Sequence, residues 1–285
     1  MEKYYSFAGL ELAVDIPDPW MYTDERRLAP FRVDRVTAPH RFCFAMVENL
    51  TPPTGNLIAA TEDFVVYADG DTSMRYTGAF NGNWENAHIR TWNRGKRHDI
   101  QLKLGTYPQG ANAKTVLNAM EAEHLVAQAG GVVIHSAYID IGGRAVLFTA
   151  PSGTGKSTQA DLWHDLRGAR IINGDRSVVR CTEAGVFAFG IPFSGSSQYC
   201  ENVDLPLAAI VYLKQAPKTA IRRLRGAAAF SRLWEGCNVN IWDRADVSMI
   251  SETVTQVLSQ VPVYELACTP DESAVLALEG VLKHE

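Results

Sequence analysis

The chain has 285 residues, 46% of them hydrophobic, and 27 Lys and Arg against 32 Asp and Glu give a formal net charge of −5. That apolar fraction is ample for a packed core in one large domain or two small ones, whereas the acidic balance excludes a general nucleic-acid binder, which needs a basic surface to displace counterions from phosphates. Cys43, Cys181, Cys200, Cys237 and Cys268 are odd in number and contain no C-x-x-C pair, so neither a disulfide framework nor a zinc site is indicated and a reducing compartment fits.

The apolar patch over 7–16 is interrupted by Glu11 and Asp15, and no run of about 18 apolar residues occurs anywhere. The chain therefore reads as a cytoplasmic protein without a membrane partner. Residues 1–110 read as a β-rich N-terminal domain. Short apolar or alternating runs at 42–46, 57–60, 64–67 and 100–104 are separated by turn residues at 68–71 and 81–83, which predicts an antiparallel meander. His40, His88 and His98 in this region lack metal-ligand spacing and read as solvent-facing or satisfied histidines.

Residues 111–285 read as a nucleotide-binding domain. Val116, Leu117, Met120, Leu125 and Val126 recur at helical spacing over 112–128, and Gly130 with Gly131 stops the run. A strand at 132–139, a turn at Gly142 and Gly143, and a strand at 145–148 follow. Next comes APSGTGKST over 150–158, a phosphate-binding loop that opens a helix over 156–166. In such a loop Ser152, Gly153, Thr154, Gly155 and Thr158 let the backbone wrap a phosphate with its N–H groups. Lys156 sets its ammonium against the β- and γ-phosphates, and Ser157 offers a hydroxyl to Mg²⁺. The usual pattern G-x-x-x-x-G-K-[ST] has Ala150 in its first position here, a difference of one methyl group.

A strand at 169–172 leads to Asn173-Gly-Asp-Arg176, and strands at 177–180 and 186–189 precede a Gly/Ser/Pro loop over 190–199. A strand at 207–214, helices at 226–236 and 246–260, a strand at 263–268 and a helix from Asp271 complete an α/β core with β-hairpins mixed in. The 190–199 loop fits a substrate lid and an ordinary solvent loop alike. Arg222, Arg223 and Arg225 fit an acidic acceptor, though a solvated basic face suits them better, and Trp163, Trp234 and Trp242 read as core.

Phosphoryl transfer also needs a carboxylate to hold metal or take a proton, and cations to neutralise moving charge. Asp175 ends an apolar strand nineteen residues after Lys156 (175 − 156) and is the best such carboxylate, although Asn-Gly-Asp is also a favoured turn sequence. Arg176 suits a phosphate, a neighbouring acid or solvent equally. Taken alone, His135 in its apolar strand reads as a core histidine.

The strand histidine 21 residues before the loop lysine (156 − 135), the loop S-G-x-G-K-[ST] and the Asp-Arg after the next strand resemble the catalytic core of HPr kinase/phosphorylases and of the wider HPr-kinase-like set, including lasso-peptide-tailoring kinases. The resemblance is strong over 131–180 and extends over 181–285 in layout only. It implies an α/β nucleotide fold like that of phosphoenolpyruvate carboxykinase, binding of ATP with Mg²⁺, and phosphorylation of a serine hydroxyl. Lys156 and Ser157 would bind phosphate, Ser157 and Asp175 would hold metal, Asp175 would be general base, and His135 would position Asp175 or the phosphate. Oligomers are known in that family, which leaves a homo-oligomer open.

Three departures stand against it. Gly174 occupies the first position of that family's Asp pair, residues 1–108 do not look like its N-terminal domain, and its C-terminal substrate-binding signature has no clear counterpart. The expectation is a phosphotransferase that moves the γ-phosphoryl group to a protein or peptide serine. A small-metabolite kinase and a non-catalytic nucleotide-binding regulator are the alternatives.

Overall fold

The computed structural model describes residues 2–17, 27–79, 83–93, 95–107, 113–195 and 197–283. Asn81 and Gly82 of the expected turn, Asn112 of the expected helix and Ser196 of the 190–199 loop lie outside the described residues. The chain divides into two compact units, Met1–Ala122 and Glu123–Glu285.

The first unit is built on a nine-stranded sheet. Glu2–Phe7 (β1) and Leu10–Asp15 (β2) pair antiparallel, and Arg32–Val33 (β3) adds to β1. His40–Val47 (β4), Asn56–Ala60 (β5), Phe64–Asp69 (β6), Thr72–Ala79 (β7), Asn83–Trp92 (β8) and Arg97–Lys103 (β9) complete the order β3-β1-β2-β4-β9-β8-β7-β6-β5. β5 to β9 form the antiparallel meander that the alternating runs predict. The expectation of a wholly antiparallel sheet is corrected at β4, which runs parallel to both β2 and β9. Parallel neighbours need a long crossover, and β5 to β8 supply it, which puts the apolar Phe42 and Phe44 of β4 in the buried middle of the sheet.

Ala113–Met120 (α1) buries Val116, Leu117 and Met120 and packs on β8 and β9. It therefore belongs with the first unit, and the division falls at 122/123, beyond the boundary at 110 read from sequence. The helix expected over 112–128 breaks at Glu121, whose φ of 45° lies in the left-handed region, and resumes as Glu123–Gln128 (α2).

In the second unit Gly131–Ile141 (β10), Arg144–Thr149 (β11), Lys156–Arg167 (α3), Arg170–Asn173 (β12), Arg176–Thr182 (β13), Gly185–Phe189 (β14) and Asp204–Gln215 (β15) follow in order. Ala220–Leu224 (β16), Gly226–Trp234 (α4), Arg244–Gln260 (α5), Val263–Cys268 (β17) and Glu272–Leu282 (α6) end the chain. The sheet order is β11-β10-β13-β14-β15-β17-β16, with β12 on β10 and β11 also paired to β15. β11, β15 and β17 are mutually parallel, so their C-terminal ends lie on one side.

Helices cover both faces of this sheet. Trp163 of α3 and Val275 and Leu278 of α6 pack with Phe148, Val211 and Leu266 on one face. Leu233 of α4 and Val254 and Val257 of α5 pack with Ile134, Leu147 and Ile210 on the other. α3 buries Lys156, Gln159, Ala160 and Trp163, the i, i+3, i+4, i+7 stripe of an amphipathic helix. Asp271 caps α6 by accepting from the Ser273 N–H at 2.9 Å, a device that stabilises a helix by about 1 kcal/mol. The 220–224 segment, read from sequence only as a basic cluster, is an edge strand antiparallel to β17.

Candidate functional site

The loop read from sequence as phosphate-binding joins the C-terminal end of β11 to the N-terminus of α3. Gly153 has φ 77° and Gly155 φ 115°, values that a side chain at either position would strain. With these turns the loop reaches α3, whose first N–H groups have no partner one turn earlier. Lys156 is 7% exposed and folds back across its own loop, donating to the Ala150 carbonyl at 3.0 Å and the Pro151 carbonyl at 3.4 Å. Burial lowers the Lys156 pKa, and the Asp175 carboxylate works in the opposite direction.

His135 lies where β10 changes partner. Through Gly131 to His135 the strand pairs with β13, and from Ser136 onward it pairs with β11. The His135 N–H donates to Gly236 O at 2.7 Å and its carbonyl accepts from the Thr149 hydroxyl at 3.0 Å, so its backbone is held from several directions. Its Nε2 stands 3.4 Å from Asp175 Oδ1, with the side chains 40% and 24% exposed. The hydrogen bond from His135 holds the Asp175 carboxyl below the usual range, burial opposes it, and the Arg176, His135 and Lys156 charges add to the lowering.

Asn173 fixes Asp175 in place. Fully buried, it accepts from the Asp175 and Arg176 N–H groups at 2.9 and 3.0 Å through Oδ1. Through Nδ2 it donates to the Ile191 and Phe193 carbonyls at 2.9 and 3.1 Å. Each polar atom of the amide is thus used, as burial requires. The 190–199 loop is anchored by these bonds, and Ile191, Phe193 and Ser194 are buried rather than solvent-facing. A Cβ at Gly195, where φ is 52°, would lie 2.6 Å from the Asp175 carboxyl carbon, so only glycine lets the loop close over that carboxylate. A Cβ at Gly174 would overlap the Ser197 side chain, so a larger residue there requires Ser197 to shift.

Ser152, Gly153, Gly155, Lys156, Ser157 and Thr158 line one open cleft of about 560 Å³ together with His135 and Asp175. Gly174, Ser197, Gln198 and Tyr199 form part of its wall. Thr154 lies instead on a neighbouring cleft, and Arg176 pairs with Glu123 at 3.0 Å and Asp175 at 3.4 Å. Arg222 pairs with Glu265 at 2.8 Å, Arg223 and Arg225 border a separate cleft, and Trp163 is core.

Sequence reasoning missed Glu123, which begins α2 and holds Arg176, and it treated Asn173 only as a turn residue. Asn173 had a signal, since an Asn two residues before a turn Asp forms this local bond. Glu123 had none. No group of three or more His, Cys, Asp or Glu able to hold a metal occurs among the described residues, and none of their helices is long and apolar enough to cross a membrane.

No protein-family model matches this chain, and no curated protein matches it. Among solved structures 90 chains match. One is the HPr(Ser) kinase/phosphatase from Coxiella burnetii, 12% identical, with 53% of this chain and 95% of that one covered and a TM-score of 0.32. That likeness is distant, and the functional reading rests on the site itself.

Proposed function

We propose that the chain is an ATP-dependent phosphotransferase of the HPr-kinase-like kind, with a phosphoenolpyruvate-carboxykinase-like nucleotide domain, that moves the γ-phosphoryl group to a hydroxyl, foremost a protein or peptide serine. The observation that carries this reading is the meeting of the loop lysine and a His135-bonded Asp175 in one cleft.

The polyphosphate lies on the N–H groups of the loop and of the first turn of α3, where the helix dipole favours an anion. Lys156 exchanges its bonds to the Ala150 and Pro151 carbonyls for phosphate oxygens, a stronger charge-assisted pairing. Ser157 and Asp175 are the side-chain oxygens that fit Mg²⁺, which is commonly held by one or two carboxylates plus substrate phosphates. Asp161 of α3 also lines the cleft, but Asp175 is the carboxylate that His135 holds, and the ion fits as one that arrives with the nucleotide. When bound, Mg²⁺ neutralises charge on the phosphate oxygens.

Asp175 is ionised at neutral pH, as an ordinary carboxyl already is, and its surroundings hold it lower still. A carboxylate of low pKa is a weak base, which suits a loose transition state in which the attacking hydroxyl acidifies as its bond to phosphorus forms. Asp175 orients that hydroxyl and takes its proton late, while His135 fixes the carboxylate through Oδ1. Asp175→Asn should bind MgATP within a few-fold of wild type and lose transfer by about 10²–10⁴, read as phosphate gained by serine peptides and polyols in mass spectrometry. Transfer that persists at the wild-type rate in that variant would contradict the reading.

A further inference from the structure

The phosphate loop is a wall between the cleft that holds Asp175 and a second cleft of about 560 Å³ on its other side. There Leu213 and Pro217, at and just beyond the end of β15, face Cys268 and Pro270 at and beyond the end of β17. Gly153, Gly155 and Thr158 line both clefts, so a polyphosphate on the loop has one end toward Asp175 and the other toward this second space.

Gln159, one turn into α3, also lines it, although only 3% of the residue is exposed. Its Nε2 donates to Cys268 Sγ at 3.5 Å, which turns the amide so that Oε1 is the remaining atom. That oxygen is buried and makes no hydrogen bond among the described residues. A buried carbonyl without a donor carries the full cost of its desolvation. A ligand N–H that reaches this oxygen removes that cost, and because Oε1 is closed to solvent the Gln159 side chain must turn toward the cleft to meet it. Leu213, Pro217 and Pro270 give the apolar surface that a flat ring needs, and Gln215 closes toward the loop by donating to Thr154 O at 3.4 Å.

Building on the phosphotransferase reading, we propose that this cleft holds the nucleoside of the bound nucleotide, with Gln159 Oε1 accepting from the exocyclic amino group of adenine. Hypoxanthine carries a carbonyl oxygen at the same ring position, and would set acceptor against acceptor. The site therefore selects adenine through one buried amide.

Calorimetric titration of the full chain with the Mg²⁺ complexes of ATP, ITP and tripolyphosphate tests this. Wild type should bind ATP about tenfold or more tightly than ITP. Gln159→Met should bring the two within about twofold of one another, with tripolyphosphate affinity unchanged. Equal affinities for ATP and ITP in wild type, or an ATP preference that survives Gln159→Met, would overturn the inference while leaving the phosphate site standing. Should the variant fail to fold, alkylation of Cys268 in the wild-type chain decides. ATP should slow it and tripolyphosphate should not, and equal rates with and without ATP overturn the proposal. Binding of neither ATP nor tripolyphosphate would overturn the phosphotransferase reading along with it.

Discussion

Each unit of this chain contains a histidine beside a carboxylate, and the two pairs have opposite surroundings. In the first unit His88 Nε2 lies 3.8 Å from Glu121 Oε1, with side chains only 4% and 7% exposed. Arg75 at 3.2 Å and Arg90 at 3.9 Å share that carboxylate, and the Thr77 hydroxyl donates to it at 2.8 Å. Burial works to raise the Glu121 pKa, but the Arg75, His88 and Arg90 charges together hold it below the usual value. In the second unit the pair His135 and Asp175 opens onto a cleft shared with the loop lysine. The same two chemical groups thus serve packing where they are sealed among arginines, and can serve chemistry where a reactant can reach them.

Paired substitutions should break this symmetry, and the largest effect belongs to the carboxylates. Asp175→Asn should cost two to four orders of magnitude in transfer and lower the denaturant midpoint much less than the Glu121 change does, because its pair with His135 is part-exposed. Glu121→Gln removes the anion beside the buried Arg90 guanidinium and the part-exposed Arg75, which costs about 3–5 kcal/mol and should appear as a large fall in the urea midpoint. A stable Glu121→Gln chain, or an unfolded Asp175→Asn chain, would erase the distinction.

The histidines sharpen it on a smaller scale. Because the His135 bond holds the Asp175 carboxyl low, His135→Gln should raise that pKa, and the acid limb of the rate profile should move to higher pH. An unmoved limb would show that His135 does not govern Asp175. His98 is sealed at the other extreme. It stacks on Phe42 with centroids 4.4 Å apart, meets Arg90 Nη2 at 3.1 Å through Nδ1 and His40 Nδ1 at 3.1 Å through Nε2. Burial, then the Arg90 and His40 charges, push its pKa down to about 2. The unfolded chain, with this histidine near its usual value of about 6.5, binds the extra proton between those limits. Stability from His98 is therefore complete above about pH 6.5 and is lost as pH falls below it. His98→Gln should flatten the decline in melting temperature from pH 7 to pH 5, and an unchanged slope would remove His98 from the account.

What could be read from sequence was what is encoded locally. The loop over 150–158 brings its glycines, lysine and hydroxyls within one turn of chain, and the Asp271 cap acts on a residue two positions away. The break at Glu121 could not be read, because α1 and α2 have one continuous apolar spacing and the left-handed residue between them is held by Arg75, His88 and Arg90 from distant strands. The parallel placement of β4 and the edge strand at 220–224 likewise depend on partners far along the chain. Gln159 and Cys268 meet across a separation of 109 residues, so no local pattern could have joined them. His135 was found only through its spacing to Lys156, and its strand placement alone favoured a core residue.

The central claim is that the cleft between the loop and Asp175 binds a nucleoside triphosphate. Calorimetric titration of the purified chain with MgATP, beside Lys156→Ala, tests it most directly. The account predicts saturable binding that Lys156→Ala weakens at least tenfold, since Lys156 is the one Lys or Arg among the described residues that line this cleft. Absence of binding in the wild-type chain, or equal binding by both proteins, would contradict it.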